Sequence, residues 1–129
     1  MRLNEGRVEA VAAVSDLARA REFYEQRLGL PPGVDEDGGV RYAASQGTAL
    51  FIYLSPENAG SSKATVAGWF VDDLDATVEE LATRGVTFEQ YDQPGIKTDE
   101  HGIFANEALR AAWVKDPDGN TIALTEVRR

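Results

Sequence analysis

Short apolar runs and amphipathic stretches follow one another along this chain, and their order occurs twice. Residues 8–14 are apolar apart from Glu9. Ser15-Asp16 then gives a helix N-cap signal, and Leu17, Ala20, Tyr24 and Leu28 recur at helical spacing, with Phe23 beside them. Gly29 stops that helix, and Pro31-Pro32-Gly33 bends the chain. Two strands fit residues 39–44 and 48–54, and residues 56–63 form a polar linker. The order then restarts. Residues 66–71 are apolar, Asp72-Asp73 caps, and a second helix presents Leu74, Val78 and Leu81 inward before Gly85. Laying Val14-Ser15-Asp16-Leu17 on Val71-Asp72-Asp73-Leu74 gives an offset of 57 residues, which also brings Tyr24 onto Leu81 and Arg27 onto Arg84.

The second half continues with a strand at 86–90, a long segment over 91–107 and a hairpin over 111–124. In the hairpin, AAWVK and TIAL are the arms and Asp116-Pro117-Asp118-Gly119-Asn120 is the turn. Pro117 presets φ, the Asp side chains can accept from nearby amides, and Gly119 tolerates positive φ. Each half therefore reads βαβββ, and such an internal repeat predicts a two-module α+β fold. The expected layout is one domain over 1–129, with module one at about 6–55 and module two at about 64–127.

Composition narrows the function classes. At 129 residues, 43% of them hydrophobic, the chain can bury a real core. No apolar run approaches the ~20 residues of a membrane span, and the N-terminal residues lack a signal-peptide core. The expected location is the cytoplasm. There is no cysteine, hence no disulfide framework or thiolate chemistry. A net charge of −9 argues against nucleic acid as a partner and mildly favours cationic or neutral ligands.

Three segments, AVSDLARAREFYEQRLGL, FVDDLDATVEELATRGV and AAWVKDPDGNTIAL, resemble characteristic stretches of the vicinal oxygen chelate proteins. That superfamily includes glyoxalase I, extradiol dioxygenases, fosfomycin-modifying enzymes and bleomycin-resistance proteins. The resemblance runs from about Val8 to Val127. It implies paired βαβββ modules whose curved mixed sheets form a cup around a small molecule, usually in a homodimer. In metal-dependent members four side chains, usually His or Gln, Glu, His and Glu, point into that cup. Mapped by position, they fall here on Glu9, Phe51, Val66 and Ala123. Three of these cannot ligate a metal, and one carboxylate does not hold a divalent transition ion against water. The sole histidine, His101, lies in the long segment. The expectation is a member with no metal and no cofactor, which removes the glyoxalase, dioxygenase and fosfomycin-transferase readings.

Strand alternation then gives the cup lining, because side chains two apart share a face. Glu9, Val11 and Ala13 share one face; so do Ala49, Phe51 and Tyr53, then Val66, Gly68 and Phe70. In the hairpin, Ala111 and Trp113 face Ala123 and Thr125, while Trp69 and Val71 belong beneath a helix. The candidate ligand-binding set is Glu9, Val11, Phe51, Tyr53, Val66, Phe70, Phe104, Trp113 and Ala123. Segment 91–107 exceeds ordinary connection length, and Gly95 and Gly102 would give a lid mobility. The acidic clusters at Asp35-Glu36-Asp37 and Asp99-Glu100 read as solvated turns.

Two functions fit. One is a protein that sequesters an apolar or aromatic compound, such as an antibiotic, as in the bleomycin-resistance branch. The other is a metal-independent lyase- or isomerase-like enzyme with Glu9 as acid/base, its proton affinity raised by an apolar cup.

Overall fold

Both repeats build a four-stranded sheet of the same order. The computed structural model describes residues 2–128. Its first half runs β1 (Ala10–Val14), α1 (Leu17–Arg21), β2 (Val34–Glu36), β3 (Gly39–Ala43) and β4 (Ala49–Leu54). The second runs β5 (Thr65–Phe70), α2 (Leu74–Thr83), a small hairpin of β6 (Asp92–Gln93) and β7 (Ile96–Lys97), then β8 (Phe104–Ala105), β9 (Leu109–Lys115) and β10 (Thr121–Val127). The sheets are ordered β1-β4-β3-β2 and β5-β10-β9-β8. In each, the first and last strands of the module pair in parallel and the remaining pairs are antiparallel. This is the α+β fold of two βαβββ modules.

Both helices start where the caps predict. Asp16 accepts from the Arg19 amide and Asp73 from the Ala76 amide, each at 3.0 Å, and such caps each contribute about 1 kcal/mol. The first helix departs from its predicted regular form. Ordinary turns end at Arg21, and Glu22–Arg27 continues as wider, π-helical turns. Adjacent side chains of a regular helix point about 100° apart. Within this widened stretch both Phe23 and Tyr24 face the core, at 9% and 0% exposure.

One apolar core joins the modules. Val14, Tyr24, Val40 and Ile52 of the first belong to the same cluster as Leu74, Val114, Ile122 and Leu124 of the second. The arginines 57 residues apart meet across the junction: Arg27 donates to the Arg84 carbonyl and Arg84 to the Gln26 carbonyl. The turn of the β9–β10 hairpin supplies the polar joint. Asp116, 4% exposed, accepts from the Tyr24 hydroxyl and the Asn120 side chain, both at 2.8 Å. Its other oxygen accepts from the Asp118 and Asn120 amides. Asn120 also donates to the Ala13 carbonyl, and Asp118 accepts from the Ser15 amide. Burial, followed by the Asp116 charge, pushes the Tyr24 phenol well above its ordinary value. It therefore stays a donor. No buried side-chain polar atom lacks a partner among the described residues, as the cost of an unmade buried bond requires.

The segment over 86–107 is more ordered than its sequence indicated. Residues 86–90 give a single bridge, Phe88 to Val114, and no full strand. The presumed loop holds β6, β7 and β8. Gly102 is no hinge: it is buried at positive φ, and a Cβ there would meet Phe88 Cβ at 2.8 Å. Asp35 and Glu36 lie in the edge strand β2, where exposed acids discourage further pairing. Asp99 is a turn, as read, accepting from the His101 and Ile103 amides.

Candidate functional site

The face of each sheet turned away from the core carries the candidate residues. On the first sheet, Val40, Tyr42, Leu50 and Ile52 fill the core, so the intervening Arg41 and Phe51 lie on the open face. Phe51 is flanked in register by Val11 on β1 and Arg41 on β3. Its ring lies beside Gly39, where a Cβ would meet the Ile52 carbonyl oxygen and, at 2.7 Å, Phe51 Cζ, so a larger residue would displace the β4 backbone as well as the ring. Phe51 and Tyr53 are half-buried and parallel, with centroids 6.3 Å apart at 11°. Val11 is 53% exposed beside them.

Glu9 does not stand alone in an apolar cup. Arg41 grips it with Nε at 3.2 Å and Nη2 at 2.7 Å, and Arg7 also pairs with it. The hydrogen bonds from Arg41 and then Arg7 outweigh desolvation and hold the carboxyl at about 2, against an ordinary 4.5. The expected rise in proton affinity is thus reversed. A base that weak is poorly matched to proton abstraction near neutral pH.

On the second sheet, Ala112, Val114, Ile122 and Leu124 are buried, and Ala111, Trp113 and Ala123 lie on the other face. Ala123 stands between Trp113 on β9 and Gly68 on β5, two small residues beside one indole. Tyr91 meets Trp113 edge to face at 5.4 Å and 76°, and Phe104 leans on it at 6.3 Å. Trp113 therefore has aromatic neighbours on two sides and the small Ala123 and Gly68 in register on a third.

The nine candidates fall into four places. Glu9, Val11, Phe51 and Tyr53 share the first open face; Phe104, Trp113 and Ala123 share the second. Val66 belongs to neither, which corrects its assignment: a register shift in β5 falls at this residue, and its side chain packs against the core. Phe70, at the end of β5, is 75% exposed and lines a groove with Val8, Ala10, Leu30, Leu50 and Trp69. Neither Phe51 nor Trp113 borders that groove. Among the described residues, no hydrogen bond or ring contact joins the Phe51–Tyr53 pair to the Trp113 cluster.

Sequence reasoning missed Arg41, Arg7 and Tyr91. The alternation Val40-Arg41-Tyr42 already sends Arg41 to the open face, a signal strong enough to have found it. Tyr91 carried none, since its contact depends on how the segment folds back. The donor set does not fit a divalent metal. Glu9 is engaged by two guanidinium groups, and among the described residues no three His, Cys, Asp or Glu side chains gather. No helix among them is long and apolar enough to cross a membrane.

Comparisons with known proteins agree with this architecture. A glyoxalase/bleomycin resistance protein from Catenulispora acidiphila DSM 44928 is 27% identical, with a TM-score of 0.67 over 94% of this chain and 97% of that one. A glyoxalase/bleomycin resistance protein from Streptomyces sp. CB03234 is also 27% identical, with a TM-score of 0.64 over 90% and 96%. TnmS3, an antibiotic binding protein from Streptomyces sp. CB03234, shares the fold at 24% identity and a TM-score of 0.63, covering 93% of both chains. No curated protein matches the chain. The family profile that matches covers residues 7–124, so the chain belongs to the Glyoxalase/Bleomycin resistance protein/Dioxygenase superfamily.

Proposed function

We propose that this protein binds and sequesters an aromatic or apolar small molecule without a metal. The observation that carries the reading is the second open face: a half-buried Trp113, flanked by Tyr91 and Phe104, stands in register beside the small Ala123 and Gly68. Apolar ring-lined hollows with few polar groups suit flat ligands. A solved protein of the same fold is an antibiotic binding protein, which supports an antibiotic as one candidate class. The ionised, doubly paired Glu9 gives the acid/base alternative little support.

A homodimer in the cytoplasm is part of the proposal. The exposure of Val11 and Phe70, at 53% and 75%, and the separation of the two ring clusters fit cups closed by a second copy. The absence of cysteine fits a reducing compartment. A thermal-shift screen of aromatic antibiotics and metabolites tests the reading, because a ligand of the native state raises its stability. The expected result is a hit that needs no metal and survives chelator, on a particle of about twice 14.0 kDa by light scattering. Turnover of the hit that Glu9→Gln abolishes would favour the enzyme instead.

A further inference from the structure

Resting on that ligand-binding reading, we propose that Arg41 is the polar anchor of the first open face. The cup then selects planar aromatic compounds bearing an anionic group, such as a carboxylate, sulfonate or phenolate. Arg41 stands directly opposite Phe51 on the neighbouring strand, a relation that places side chains within about 5 Å at their base. Glu9 lies on the far side of β4, just before β1, so the ion pair reaches across the width of β4.

The pair fixes the guanidinium without exhausting it. Arg41 uses Nε and Nη2 toward Glu9, and Nη1 has no hydrogen-bond partner among the described residues. A guanidinium has five N–H donors in a rigid fork, so unused donors remain, and the side chain is 26% exposed. Two cations, Arg7 and Arg41, meet one carboxylate there. Glu36 acts on Arg41 at longer range and makes no hydrogen bond to it. With Glu36 counted, the local charge is balanced rather than negative as in the chain of net charge −9, and it lies beside two parallel rings. A cationic ligand would find Glu9 already satisfied, whereas an anionic one would find oriented donors. The preference for cationic ligands drawn from net charge is reversed at this face.

Two dyes sharing one ring system test the proposal: 8-anilinonaphthalene-1-sulfonate, and N-phenyl-1-naphthylamine, which lacks the sulfonate. Both are titrated by fluorescence against the native protein at pH 7 and low salt, with near-UV circular dichroism confirming the fold. The sulfonate dye should bind at least about tenfold tighter, the scale of one charge-assisted hydrogen bond. Arg41→Met should erase that preference and leave the neutral dye unchanged. Glu9→Gln should strengthen sulfonate binding by releasing both guanidinium groups. A preference that persists in folded Arg41→Met overturns the proposal. If Arg41→Met does not fold, Glu9→Gln decides, and unchanged or weaker sulfonate binding overturns it. Equal binding of both dyes sinks the role of Arg41 and leaves the cup standing. Binding of neither dye removes the ligand-binding reading and this inference together.

Discussion

The same three-strand row can be traced on each open face. On the first sheet it reads Val11, Phe51, Arg41; on the second it reads Gly68, Ala123, Trp113. Val11 and Gly68 are 57 residues apart, the offset of the repeat. One row therefore carries a ring on its central strand, with a charged group at its flank. The other is bare at its centre and carries its ring at the flank. Phe51 and Ala123 are also the positions where metal-dependent relatives are expected to place ligands. On the metal-free reading proposed above, the two positions have no reason to stay alike. One bears a large ring and the other a single methyl group, and on the proposed reading such a pair suits a flat molecule.

The largest expected effect removes what both faces share. Asp116→Ala takes away the acceptor of the Tyr24 hydroxyl, the Asn120 side chain and two amides, all at a junction 4% exposed. Breaking a buried charged network costs about 3–5 kcal/mol, so the urea midpoint should fall sharply while the slope stays unchanged. A loss under about 1 kcal/mol, the scale of one ordinary hydrogen bond, would mean that each module holds its face without the joint.

Next come the faces themselves. Once a ligand is found, Trp113→Ala should weaken it at least about tenfold, about 2 kcal/mol or more for a hot-spot ring. Phe51→Ala should cost less, because Tyr53 remains parallel beside it. Isothermal calorimetry on both variants ranks the faces, and a larger loss from Phe51→Ala would put the site on the first sheet. Trp69→Ala is the control. Its indole packs against the core, so it should lower the melting temperature and spare affinity for a ligand held at Trp113 or Phe51.

The repeat, the caps and the alternation were legible because each depends on neighbours within a few residues. That local logic placed Phe51, Trp113 and Trp69 on their faces. It failed at Val66, where a register shift breaks the period of two that the reading depends on. It also failed for the π-helical turns, since 3.6-residue spacing cannot announce a widened turn. The environment of Glu9 was misjudged for a different reason. Its partner Arg41 is 32 residues away and reaches it across a third strand, so no window of sequence contains the pair. Faces were readable; what one face's residues do to each other was not.

The smallest expected effect tests that environment directly. With its carboxyl held at about 2 against an ordinary 4.5, Glu9 has a lowered folded-state value. The sign follows: the ion pair stabilises the fold fully above about 4.5, and its contribution is lost as pH falls toward about 2. Melting curves of the native protein and Glu9→Gln should therefore differ by a constant gap above about pH 5, the gap narrowing only below it. The gap itself should be small, because Arg7 is well exposed and salt screens such pairs. Ligand affinity should show no Glu9 titration between pH 5 and 9, a range in which the charged first face and the uncharged second would respond alike. A gap that changes near pH 6 or 7 would put the carboxyl in the range of a working general base. The first face would then be a reactive surface and the second only its wall.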